Sequence, residues 1–169
     1  MNSYLSGADD SIEKVIEKYS ATVYGIALTH TKNKCDADDV YQNVFLTYFK
    51  KNKRFESEEH RKAYIINITL KCVKKVNFST WNKKTVALDE RKDVAFAFSS
   101  REENSVFIAI KELPEKYRTV IHLFYFENLP TSKISEILRI KEPAVRMRLV
   151  RAREMLRNKL KGEYFYERK

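Results

Sequence analysis

The sequence predicts an all-α protein made of two small helical domains joined by a tether, on three observations. Only three Gly and three Pro punctuate 169 residues, too few for a turn-rich β architecture, while Leu, Ile, Lys, Glu and Arg are abundant. Apolar residues recur at three- and four-residue intervals in separate runs, the period of amphipathic helices. That period fades through TWNKKTVALDERKDVAFAFSS, which lacks the Gly/Ser or Pro repeats of a dedicated linker. Residues 1–79 are therefore read as a first domain, 80–100 as a tether with room for a short helical piece, and 101–169 as a second domain. A chain of this length that is 43% hydrophobic can bury one medium core or two small ones.

The first helix follows Asp9, Asp10 and Ser11, which can cap it, and carries Ile12, Val15, Ile16, Tyr19, Val23, Ile26 and Ala27 to about Thr31. A second is expected from Asp36, with Asp39 three positions on in a capping-box-like arrangement, through Val40, Val44 and Tyr48 to near Asn52. The third opens after Ser57, with Glu58 and Glu59 favoured by the helix dipole, and lines up Ile65, Ile68, Cys72 and Val76. In the second domain the period returns at Val106, Ile110 and Leu113. Pro114 ends that helix and opens another with Tyr117, Val120, Ile121 and Phe124. Asn128 suits a left-handed helix end. Two elements, about 131–138 and 142–160, flank Arg139-Ile140-Lys141 and match a helix-turn-helix in length and apolar pattern.

Thirty-three Lys and Arg against 23 Asp and Glu give a net charge of +10, a field that attracts polyanions. Nucleic acid is the first partner this implies, with a solvated basic surface as the plain alternative. In the last helix Val145, Leu149, Ala152 and Leu156 form the inward stripe, which leaves Arg146, Met147, Val150 and Arg151 on the opposite arc. Arg pairs with guanine edges or phosphates, and Val or Met can lie against a thymine methyl, so that arc suits a major-groove reader. Residues 139–161 hold nine Lys/Arg against two Glu, which favours phosphate anchoring.

Residues 61–84 hold seven Lys/Arg and no acid, interleaved with Tyr64, Phe78 and Trp81, as a single-strand surface requires: cations track phosphates and rings stack on bases. Taken singly, Phe78 and Trp81 are expected in the core. In the second helix Asp39, Gln42, Leu46 and Phe49 share the side away from the core. Leu46 and Phe49 then lie either under another part of their own domain or in a partner-protein interface.

Cys35 and Cys72 form no C-x-x-C pair and have no nearby His, so two reduced, buried thiols are expected, with no metal site or disulfide. MNSYLSGADD has no basic region followed by an apolar run, and no stretch reaches the ~20 apolar residues of a membrane span. The expectation is a soluble, cytoplasmic protein without membrane insertion. No phosphate-cradling Gly-rich loop or nucleophile–base motif is present. No catalytic residue and no cofactor are expected.

Two segments resemble a known family. Asp36-Ala37-Asp38-Asp39-Val40-Tyr41-Gln42-Asn43-Val44-Phe45-Leu46 resembles sigma-factor region two. Leu113-Pro114-Glu115-Lys116-Tyr117-Arg118, with Ile134-Ser135-Glu136-Ile137-Leu138 and Val145 to Arg153, resembles region four. Their order, and the lack of further domains, resemble the extracytoplasmic-function (ECF) group of bacterial RNA polymerase sigma factors. The resemblance implies a non-enzymatic initiation factor that binds core RNA polymerase, through the β′ clamp helices and β flap, and promoter DNA, with an anti-sigma factor as a further partner. It implies polymerase contacts at Asp39, Gln42 and Phe45, which strengthens the partner-interface reading of Leu46 and Phe49 on the same helix. It further implies −10 element contacts at Tyr64, Asn67, Lys71, Lys74 and Lys75, and −35 element contacts at Lys141, Arg146, Met147, Val150 and Arg151. The chain departs from the family where Asn43 replaces the usual Glu, Lys74 a frequent Asp, Phe124 a frequent Arg, Arg139 the turn Gly, and Pro143-Ala144 a common Gly-Thr.

Two rival readings remain at this stage. A helix-turn-helix regulator would use the same DNA-reading helix without engaging polymerase productively. A nuclease would hold a metal ion on Asp36, Asp38 and Asp39, though capping and docking explain those acids better.

Overall fold

Every described element of regular structure is a helix. The computed structural model describes residues 11–83 and 101–167, with side chains described for 11–82 and 103–162. The chain divides into two units, Met1–Glu90 and Arg91–Lys169. The all-α class is as the sequence predicts.

The first unit is formed by α1 (Ile12–His30), α2 (Lys34–Lys51) and α3 (Glu58–Lys83). The Ser11 hydroxyl accepts from the Lys14 N–H at 3.4 Å and starts α1. Thr31 ends it by returning its own N–H and hydroxyl to the Ala27 carbonyl, at 3.0 and 2.7 Å. The start of α2 differs from expectation. Its cap is Asn33, whose side-chain oxygen accepts from the Asp36 N–H at 2.8 Å while its amide donates to the Asp36 carboxylate at 3.2 Å. The box is thus Asn33–Asp36, one turn before the expected Asp36–Asp39, because the Asn amide can both accept from and donate to the third residue of the helix. Asn52, at φ 42°, closes α2 in the left-handed region. The Ser57 hydroxyl then accepts from the His60 N–H at 3.2 Å to open α3.

Val15, Val23, Val40, Val44, Ile65 and Ile68 meet in the core of this bundle, each worth about 1.5–3 kcal/mol when fully buried. Phe55, in the α2–α3 loop, stacks on Tyr48 with centroids 6.0 Å apart. Cys72 is half-buried, and burial raises its thiol pKa. Cys35, expected in the core, is exposed; it lies in the first turn of α2, where Ala37 and Val40 take the inward positions. α3 continues through Thr80, Trp81, Asn82 and Lys83, into the expected tether. The rest of that tether, 84–100, lies outside the described residues.

The second unit contains α4 (Arg101–Lys111), α5 (Glu115–Ile121), a π turn (His122–Phe126), α6 (Thr131–Leu138) and α7 (Glu142–Glu167). Phe107, Ile110 and Leu113 are buried, whereas Val106, expected inward, is exposed. The inward stripe of α4 is thus one residue out of register with the expected start. Arg118 seals the α4 end by donating to the Leu113 carbonyl at 2.8 and 3.2 Å. The π turn was not foreseen: the Glu127 N–H reaches the His122 carbonyl, five residues back, at 3.3 Å. Asn128 takes φ 53°, as expected of a left-handed end. Val145, Leu149 and Ala152 are buried along α7, Leu156 only partly, and the helix runs past its expected end near 160.

Candidate nucleic-acid and partner interfaces

In the second unit, α6 and α7 are joined by a turn in which Arg139 adopts φ 54°, ψ 44° and its N–H closes on the Ser135 carbonyl. A side chain in this region costs about 1–2 kcal/mol; the Ser135 hydroxyl offsets part of that by donating to the Ile140 carbonyl at 2.7 Å. Glu142, in the first turn of α7, accepts from the Thr131 hydroxyl at 2.6 Å and from Arg146 at 2.9 Å, so one carboxylate ties the starts of α6 and α7 together. With the stripe from Val145 to Ala152 buried, Arg146, Met147, Val150 and Arg151 stand exposed on the outer arc, and Lys141 is exposed just before it. The nearby Arg151 guanidinium lowers the pKa of the Tyr117 phenol on α5, against the opposing effect of desolvation.

In the first unit, the outer side of α3 carries Asn67, half-buried, and Lys71, Lys74 and Lys75, all exposed. Tyr64 lies on the same side, but its ring packs on Phe55 at 5.1 Å and has Lys53 over it at 4.7 Å. The rings open to solvent are Phe78 and Trp81, 69% and 75% exposed, not core plugs as expected of each singly. Both sit on the last turns of α3, facing solvent while Asn77 and Thr80 on the same turns bond to α1 and α2. Lys32 lies 5.7 Å from the Trp81 ring centre.

Two hydrogen bonds hold this end of α3, and no pattern in the sequence announces them. Asn77 donates to the His30 carbonyl at 2.9 Å, and the Thr80 hydroxyl donates to the Asp36 carboxylate at 3.1 Å. Asp36 thus serves both the α2 cap and the α3 end. A surface depression between the two helices is lined by Asp39 and Asn43 of α2 and by Lys75, Val76 and Thr80 of α3.

On α2, Asp39 and Gln42 are exposed, and Leu46 is 68% exposed among the described residues. Phe49 is half-buried, edge-on to Tyr48 at 5.1 Å. Phe45 does not share this face. It is 6% exposed and packs on Tyr41 at 5.0 Å, because its position on the helix falls on the core side beside Val44.

Asp36 is engaged by Asn33 and Thr80, and Asp38 accepts from the Tyr24 hydroxyl at 3.0 Å. Among the described residues no group of His, Cys, Asp and Glu is placed to hold a metal ion. Among them, no helix is long and apolar enough to cross a membrane.

The family profile Sigma-70 region 2 matches residues 15–75, and Sigma-70, region 4 matches residues 109–156. The chain is 28% identical over 177 residues to the ECF RNA polymerase sigma factor SigW of Bacillus subtilis, covering 92% of this chain and 91% of that one. It is 29% identical over 172 residues to the ECF RNA polymerase sigma-E factor of Haemophilus influenzae, covering 91% and 89%. Of solved structures, CnrH, in complex with the cytosolic domain of CnrY, aligns with a TM-score of 0.68 at 19% identity over 93% of this chain and 92% of that one. The sigma factor RpoE of Bartonella quintana, in complex with the anti-sigma factor NepR, aligns with a TM-score of 0.67 at 18% identity over 88% and 96%. The chain belongs to the sigma-70 family of RNA polymerase sigma factors, in its extracytoplasmic-function group. Sigma factors are initiation factors, not enzymes.

Proposed function

We propose that this chain docks core RNA polymerase chiefly through the outer face of α2 and directs it to promoters that its two units read separately. The observation that carries this reading is the pairing, in one chain, of an α2 face left exposed among the described residues with a helix-turn-helix whose outer arc is cationic and apolar by turns. Asp39, Gln42 and Leu46, with Phe49 at the edge, present hydrogen-bonding groups around one exposed aliphatic side chain, the composition of a small protein-docking patch. The β′ clamp helices are the surface we assign to it, and the β flap the surface for the second unit.

The second unit would read the −35 element in the major groove, with Arg146 and Arg151 on guanines or phosphates and Met147 and Val150 against thymine methyls. The first unit would capture the opened −10 strand along α3. Lys71, Lys74 and Lys75 would follow the phosphates, Asn67 would offer an amide to a base edge, and Phe78 and Trp81 would be the stacking surfaces. Binding unstacked bases offsets the cost of unpairing them, so opening needs no nucleotide hydrolysis by this subunit. That RpoE of Bartonella quintana forms a complex with the anti-sigma factor NepR supports an anti-sigma factor as a further partner, and occlusion of a polymerase-binding surface is the role we assign to it. The protein would act where polymerase is, in the cytoplasm.

Titration of fluorescently labelled chain with core enzyme tests the docking reading. Leu46→Glu is expected to weaken binding at least tenfold, about 1.4 kcal/mol, with helical content unchanged. Undiminished binding by Leu46→Glu would reject the α2 face as the dock.

A further inference from the structure

Among the exposed cations of α7, Arg153 has a built seat. Phe124 and Tyr125, neighbours in the π turn, meet nearly at right angles, 78° with centroids 5.0 Å apart. The Arg153 guanidinium lies over both rings, 5.7 Å from the centre of Phe124 and 5.6 Å from that of Tyr125. Its Nε donates to the Tyr125 hydroxyl at 2.7 Å. Aromatic faces attract a guanidinium, and one strong hydrogen bond fixes its roll about the side-chain axis. Neither terminal amino group has a partner among the described residues, so the ends of the planar fork remain available to an acceptor.

The position of that fork decides what it would meet. Arg153 is seven residues, two turns or about 10 Å, beyond Arg146 on the same side of α7. When the N-terminal part of a recognition helix contacts base edges, its C-terminal part passes the flanking sugar–phosphate backbone. A guanidinium pre-set in orientation binds a phosphate with two parallel N–H donors and loses little side-chain freedom in doing so.

We propose that Arg153, seated by Phe124 and Tyr125, is a phosphate clamp at the edge of the DNA site read by α7. It supplies sequence-independent affinity and fixes how far α7 enters the groove, while Arg146 and Arg151 carry base preference. The proposal rests on the DNA-reading role of α7 and does not depend on polymerase docking. Phe124 carries no charge of its own; its ring is one wall of the seat for a charge brought from α7.

The test is binding of the full chain to two mixed-sequence duplexes, followed by fluorescence anisotropy between about 50 and 200 mM salt. Each lost phosphate contact lowers the slope of log K against log salt by about 0.9. Arg153→Ala is expected to lower the slope by that amount and to weaken binding five- to tenfold on both duplexes alike. Tyr125→Phe keeps the charge but not the hydrogen bond, so its slope should be unchanged and its affinity two- to threefold weaker. Arg157→Ala, an exposed cation further along α7, should change the slope by less than half as much.

Three results would overturn the proposal. The first is an unchanged slope in Arg153→Ala with an affinity loss that follows a lowered thermal midpoint, as expected of a purely structural Arg153. The second is an equal slope change in Arg157→Ala, as expected of a diffuse positive field. The third is no binding by the unsubstituted chain at the lowest salt. Promoter-specific transcription with core enzyme is read separately, so loss of the clamp and loss of the initiation role are distinguishable.

Discussion

Arg61 is the largest side chain that the first unit buries almost completely, 2% exposed, and its charge is made tolerable by Glu58 at 3.1 Å. Glu58 also accepts from Tyr19 at 2.6 Å and pairs with Lys18 at 2.7 Å. Burial alone would raise the Glu58 pKa, but hydrogen bonds from Lys18 and Tyr19 and the charges of Arg61 and Lys18 together hold it below its ordinary 4.5. Burial, and then the Glu58 hydrogen bond, raise the Tyr19 phenol. A carboxyl with a depressed folded pKa contributes stability that is complete above its unfolded pKa and lost as pH falls through the folded one. Glu58→Gln should therefore cost about 1–2 kcal/mol at neutral pH, and the urea midpoints of the two proteins should converge as pH drops below 4.5. A constant gap across that range would contradict the assignment. The network was hidden in the sequence because its members come from positions 18, 19, 58 and 61, which only the α1–α3 packing brings together.

Arg139 is the opposite case, since the sequence itself marked a non-Gly residue at a tight turn, and its φ of 54° bears that out. Arg139→Gly relieves about 1–2 kcal/mol of left-handed strain and adds about 0.4–1 kcal/mol of unfolded-state entropy. A net stabilisation of about 0.5 kcal/mol is expected, measured as a higher urea midpoint. A lower midpoint would mean that the arginine makes a compensating contact.

At the scale of elements, helices were legible wherever one face had to be buried, and their ends only where a single residue type settles them. Ser11, Ser57, Asn52 and Pro114 each act at the boundary expected of them. The α2 start was misread by two residues because Asp36 and Asn33 are both good caps, and the choice depends on which places Ala37 and Val40 inward. The π turn left no sign, since an aromatic run fits an α- or a π-turn equally well. The far end of α3 depends on a tertiary bond, the Thr80 hydroxyl on Asp36. Thr80→Val should loosen that end at a cost of about 1 kcal/mol, whereas Asp36→Ala, which also loses the cap pairing, should cost about 1–2 kcal/mol. Hydrogen exchange should speed up at residues 76–83 in both variants and at the start of α2 only in Asp36→Ala. Equal protection to the parent protein would show that the Asp36–Thr80 bond holds nothing.

For the whole molecule, the two-unit plan and the +10 charge were readable from periodicity and composition, and two separate family segments made the class unambiguous. The face we propose for docking was less so. Phe45 belongs to the segment that resembles region two, but helix geometry turns it into the core and leaves Leu46 outside. Phe78 and Trp81 are expected inside for ordinary reasons of size and apolarity, but on the last turns of α3 it is Asn77 and Thr80 that bond to α1 and α2, and the two rings face solvent. Two modest DNA contacts joined through one chain act together only at a permitted separation, so promoter use should depend sharply on the spacing of the two elements.

The most direct test of the central claim is transcription by core RNA polymerase mixed with the purified chain on a fragmented genomic library of its host, with RNA 5′ ends sequenced. Gln42→Ala and Arg151→Ala variants run alongside. The account predicts discrete start sites preceded by a shared pair of motifs, each variant reducing their use, with Arg151→Ala altering the preferred upstream motif and Gln42→Ala lowering all sites together. No start sites above those of core enzyme alone, while the chain still binds DNA and a control sigma factor is active, would contradict it.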